Sequence, residues 1–239
     1  MEVQTKKQQL RDYIIANIEK LEMQGRNGMD RLSFPDFELF PFDYLEYAEA
    51  EMAGIETNDN KKINCIAHLK RAIECELDSF LYAMSLSKFI KPDNFPTKME
   101  WLGAMGIFTP RSLQRLNTIR NRIEHDYTIP NIQDIELYFD LASTFIHTLE
   151  GFLLLIDNNQ VLFWADSEKN FEETVFSVSY DYKKALLEYR IGHEKQPEIL
   201  KFEPSNKDEF LFAFRSYLLL CRSASDLVDE AYVIKKIQN

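Results

Sequence analysis

The chain has 239 residues, 45% of them hydrophobic and 28% charged, enough to bury a full core in one large domain or a domain with an appendage. A formal charge of −11 argues against a broad nucleic-acid-coating surface, so any nucleic-acid contact has to be local. The three cysteines are odd in number, and Cys65 and Cys75 would lie about 15 Å apart along one helix, which gives neither a disulfide framework nor a zinc spacing and leaves them as small core residues.

With only seven Gly and eight Pro, most of the chain is expected to be helical. The first residues, MEVQTKKQQLRDY, carry no apolar signal region, and the longest apolar run, Gly151 to Ile156, is far too short for a bilayer. A cytoplasmic protein without membrane partners is expected.

Leu10, Ile14, Ile18 and Leu21 have helical spacing and predict an amphipathic helix within 5 to 24, stopped by Gly25 and Gly28. The following SFPDFELFPFDY, with Pro35 and Pro41 among five aromatics, predicts an extended arm pinned to the core. A short helix from about Tyr44 to Met52 follows, with Asp43 as its cap. Over 59 to 88, Ile63, Ile66, Leu69, Ile73, Leu77, Phe80, Leu81 and Met84 form a sustained apolar stripe, the mark of a bundle helix. Lys91-Pro92 and Phe95-Pro96 break it, and a short helix over about 98 to 105 comes next. Thr109-Pro110 caps and starts an arginine-bearing helix that Pro130 ends. Asn131 and Asp134 are spaced as a cap for a further long helix through Ile135, Phe139, Ala142, Ile146, Leu149 and Leu153.

Beyond 157 the period changes to two. Phe176, Val178, Tyr180 and Tyr182 alternate with polar residues, as do Ala185, Leu187, Tyr189 and Ile191 with their neighbours. With Val161 to Trp164 and Ile199 to Phe202 they predict a small antiparallel sheet of three or four strands. A helical pattern from Asp208 to about Ile237, broken near 223 to 225, closes the chain. The expected fold is mainly α: an N-terminal helix and arm over 1–58, a helical bundle over 59–156, and a small sheet with a C-terminal helix over 157–239.

The arginine-bearing helix holds the chemistry. At about 100° per residue, Leu113, Leu116, Ile123 and Tyr127 fall within roughly 60° of Arg120, while Arg111, Arg115 and Arg122 share the opposite, solvated face. A guanidinium on an apolar face cannot shed its charge and must find a carboxylate, such as Glu124, Glu74 or Glu76, or a phosphate or partner surface. From Arg120, Glu124 lies near 40°, Asn121 near 100° and His125 near 140°, so a polar arc runs round one flank. Asn121 and His125, four residues apart, can touch, and the amide can select the imidazole tautomer. Read as residues alone, His125 suits a helix C-terminus and Tyr127 the core. Residues 110 to 123 hold four Arg and no Asp or Glu, so Arg111, Arg115 and Arg122 could steer RNA.

Arg120 followed by Asn121, His125 and Tyr127 resembles the R-x4-6-H signature of the HEPN superfamily, in the R-x4-H-x-Y form of toxins encoded beside minimal nucleotidyltransferases. The likeness spans about 59 to 156, where the helix order also agrees; 1–58 and 157–239 lie outside it. It implies an antiparallel helical bundle, HEPN-like, that forms a homodimer and cleaves RNA without a metal or other cofactor. Arg120 would clamp the phosphate, His125 act as general acid or base, and Asn121 orient it or hold substrate. Glu124 would support the site. Tyr127 matches the tyrosine that a partner nucleotidyltransferase, acting as antitoxin, can modify. Some members are noncatalytic modules that bind nucleotide, RNA or protein, and that is the alternative the resemblance carries.

Overall fold

The computed structural model describes residues 5–18, 21–26, 32–55, 58–108, 111, 114, 115, 118, 121, 122, 129, 131–156, 160–165, 175–193 and 195–238, with backbone alone at 21–26, 155–156 and 160–165. The protein is mainly helical with an antiparallel sheet. It divides into two compact units that cut across the three consecutive segments of the sequence reading. One combines Met1–Leu32, Ala104–Gly106 and Ile156–Asn239; the other combines Ser33–Gly103 and Ile107–Leu155.

In the first unit, α1 spans Lys6–Asn17, and Thr5 and Gln8 cap it reciprocally through side chain and backbone. Leu10 and Ile14 are fully buried, as their spacing requires. Leu21 is not part of this helix: Leu21–Arg26 is a strand, β1, paired antiparallel with β2, Gln160–Ala165. A bulge between Met23 and Gly25 shifts its register. The sheet continues through β3 (Val175–Asp181), β4 (Leu186–His193) and β5 (Gln196–Phe202) in the order β1-β2-β3-β4-β5. Five strands thus replace the three or four expected, because the N-terminal segment adds one at the edge.

The alternation read over 185 to 191 is realised in β4, where Leu187, Tyr189 and Ile191 are buried and their neighbours are not. β3 is buried at all of its first four residues, Ser177 included, so it is covered on both faces. The C-terminal helical pattern breaks where expected, into α6, Lys207–Ser223, and α7, Glu230–Gln238. Asp229 accepts the Tyr232 backbone N–H at 2.7 Å and so caps the last helix. Tyr189 donates a buried hydrogen bond to the Ala213 carbonyl at 2.8 Å, tying sheet to helix. Around it Tyr180, Phe210, Phe214 and Tyr217 meet edge to face or tilted, with centroids 5.7–6.5 Å apart.

In the second unit, α2 covers Pro41–Met52, three residues earlier than the sequence reading set its start. Pro41 takes the first helical position, where it needs no donor, and Asp43 accepts the Phe40 N–H at 2.6 Å from inside the first turn. The preceding arm is irregular as expected, and the Cys75 thiol donates to its Leu39 carbonyl at 3.6 Å, but the side chains of Phe34, Phe37, Leu39 and Phe40 are all exposed. Their spacing fits neither a helix nor a strand face, so no regular element turns them inward together.

α3, Asp59–Ala83, buries the stripe read from its sequence, although Ile63 stays exposed and Met84 caps the helix rather than extending it. α4 spans Phe95–Ala104 and begins earlier than expected, because Pro96 falls in the first turn and Asn94 accepts the Thr97 N–H at 3.0 Å. Lys98 bridges Asp78 at 2.7 Å and Asp93 at 2.8 Å, linking the α3 and α4 segments. α5, Ile132–Ile156, carries the cap read at its start: Asn131 accepts the Asp134 N–H at 2.7 Å. Phe80 meets Phe152 edge to face at 6.1 Å, joining the cores of α3 and α5.

Cys65, Cys75 and Cys221 are free thiols, two of them buried. Among the described residues, no helix is long and apolar enough to cross a membrane.

Candidate functional site

Between α4 and α5, the described residues Arg111, Gln114, Arg115, Thr118, Asn121 and Arg122 are helical, and every one is exposed. Measured from the direction of Arg120 at about 100° per residue, they cover one continuous arc from about 100° to about 220°. The arc contains the three arginines that the spacing assigned to solvent, together with Asn121. Thr118 returns its hydroxyl to the Gln114 carbonyl at 2.8 Å, a bond that fits a regular helical turn. Arg120, Glu124, His125 and Tyr127, and the Thr109-Pro110 start and Pro130 stop, lie outside the described residues.

The described part of this unit adds a feature that the motif did not announce. Glu76 sits within the buried stripe of α3, only 3% exposed, and its Oε1 has no hydrogen-bond partner among the described residues. Burial, with the Glu150 carboxylate adding to it, pushes Glu76 up to about 8. Burial also raises Glu150 on α5, against the opposing influence of His147 one turn earlier. The His147 ring in turn lies 5.2 Å from Phe42.

A carboxyl held by a guanidinium would shift downward. Glu76 shifts upward, with burial the largest cause and the Glu150 carboxylate the second. At neutral pH it is chiefly a protonated acid able to donate, coupled to a second carboxyl within the same helical unit. The sequence did hold a signal for this, a glutamate between Ile73 and Phe80 on an otherwise apolar stripe.

Cys65 and Cys75 are poor nucleophiles. Burial with help from Glu51 raises Cys65 to about 11, and burial with help from Glu76 and Asp78 raises Cys75 to about 11, so both stay thiols near neutrality. Among the described residues no group of His, Cys, Asp and Glu is arranged to hold a metal ion. Comparison of the chain with protein-family models, curated proteins and solved structures gives no match.

Proposed function

We propose that the protein is a HEPN-like, metal-independent endoribonuclease whose cleft is built on the helix between α4 and α5. The observation that carries the reading is the exposed arc of Arg111, Arg115, Asn121 and Arg122 on that helix, in a chain whose overall charge would otherwise repel RNA. The spacing sets His125 at an angle inside the same arc, beside Asn121.

In this reading Arg120 grips the nonbridging phosphate oxygens with its planar fork as negative charge builds on them. The ribose 2′-oxygen attacks phosphorus, its proton passes to a base, and the bond from phosphorus to the 5′-oxygen breaks as that oxygen takes a proton. His125 serves one of these transfers, and a second copy of the chain in a homodimer supplies a second histidine for the other. The products are a 2′,3′-cyclic phosphate and a free 5′-hydroxyl, and DNA is inert because it lacks the attacking group. Tyr127 is the residue a partner nucleotidyltransferase would modify in a toxin-antitoxin setting, with Glu124 supporting the site.

The test is cleavage of a mixed single-stranded RNA pool in chelator. His125→Ala and Arg120→Ala should each lower the rate about 100-fold or more, with wild-type fragments ending in cyclic phosphate. If folded wild type leaves RNA intact yet binds it through Arg111, Arg115 and Arg122, the noncatalytic module is the correct reading.

A further inference from the structure

The unit assembled from both ends of the chain holds a cavity that the proposed ribonuclease does not use. It measures about 320 Å³ and lies where α1, α6 and α7 converge. Four cations line it, Lys7 and Arg11 from the first helix, Arg215 from the sixth and Lys236 from the seventh, and among the described residues no Asp or Glu does. In a chain of charge −11 this is a local reversal of sign.

The cations are held in place by contacts that leave most of their charge available. Lys7 Nζ stands 5.1 Å above the Phe212 ring, and Lys236 Nζ stands 5.5 Å from the centre of the Tyr232 ring. The methylene stem of Arg215 runs beside the turn at Gly106, φ +82°, where a Cβ would come 3.5 Å from Arg215 Cγ. Arg215 is exposed and, among the described residues, forms no ion pair. Arg11 does have an acid beside it, Asp12 Oδ1 at 3.3 Å, but side chains this exposed are strongly screened.

Four like charges lining one small concave space repel one another, and an anion there would relieve the repulsion. The remaining wall includes Ser216 and Gln238 but is otherwise apolar, with Leu211, Leu219 and Ile237 all nearly buried. A bare inorganic ion would leave that wall unused. The volume falls at the lower end of the roughly 300–1,000 Å³ range of small-molecule sites, so the ligand is one compact molecule and not a duplex.

We propose that this cavity binds a nucleoside polyphosphate, with the phosphate chain among Lys7, Arg11, Arg215 and Lys236 and the base against Leu211, Leu219 and Ile237. The three to four negative charges of such a ligand match the four cations. Arginine at two of the four positions suits bidentate recognition of phosphate oxygens.

The full chain should be titrated calorimetrically with ADP, AMP and pyrophosphate. ADP is expected to bind saturably at one site per chain, with AMP and pyrophosphate each about tenfold weaker or more, since one lacks a phosphate and the other the base. Arg215→Ala and Lys236→Ala should each weaken ADP about tenfold or more, without changing the ligand-free melting temperature. Lys184→Ala, an exposed turn residue far along the chain, should leave binding unchanged. The proposal is overturned if ADP does not bind, or if it binds the Arg215→Ala/Lys236→Ala double variant as well as the wild type. Pyrophosphate binding as tightly as ADP overturns the seat assigned to the base, and a short RNA binding through Arg215 where ADP does not overturns the small-ligand assignment. RNA cleavage is not read, so the outcome is separate from that for Arg120 and His125.

Discussion

Glu76 is a carboxyl whose setting opposes its charge. An ordinary glutamate titrates near 4.5, and this one is pushed to about 8 by burial and Glu150. Below 4.5 both native and unfolded chains hold the proton, and the residue contributes no pH dependence. Between about 4.5 and 8 the unfolded chain releases its proton while the native one keeps it, so stability falls as pH rises through that window and levels off above it. Glu76→Gln supplies a neutral side chain of the same shape. The variant should match the wild type below pH 5 and exceed it by roughly 2–4 kcal/mol at pH 8. Urea midpoints measured across this range decide the matter; equal slopes for the two proteins would show that Glu76 is not the group responsible.

At the scale of elements, α5 illustrates how a local rule becomes a boundary. Its first turn leaves backbone N–H groups without partners, and Asn131 Oδ1 takes one of them. Asn131→Ala should cost about 1 kcal/mol, seen as a lower thermal midpoint, whereas Asn131→Asp should preserve stability. This cap was legible because it depends on residues three apart, and the apolar stripes of α3 and α5 were legible for the same local reason. β1 was not. LEMQGR has no clean alternation, and it forms a strand because β2 offers an edge to pair with, a fact held by distant residues. The aromatic arm was legible only in part: its backbone meets Cys75 through the Leu39 carbonyl, but aromatic composition suggested burial and the side chains of Phe34, Phe37 and Phe40 are exposed. The solvated face of the arginine-bearing helix could be read from spacing alone. The four-cation cavity could not, because Lys7 and Lys236 come from opposite ends of the chain and only the fold brings them together.

At the scale of the molecule, the two units have unequal dependence on chain order. Apart from a three-residue excursion at Ala104–Gly106, the helical unit is drawn from one stretch, Ser33 to Leu155. A fragment of 33–155 should therefore keep its helical circular dichroism and melt cooperatively. A fragment of 156–239 should not, because it lacks the buried Leu10 and Ile14 of α1 and the edge strand β1; a sharp native-like transition from that fragment would contradict the account. The pairing of β1 with β2 also has a consequence in time. During synthesis the helical stretch emerges complete while the first strand still has no edge to join, and at about 5–20 residues per second its partner follows on the order of ten seconds later. For that interval the nascent chain carries an unmated strand, and a chaperone or a neighbouring nascent chain that captures it then would trap the protein before β2 exists.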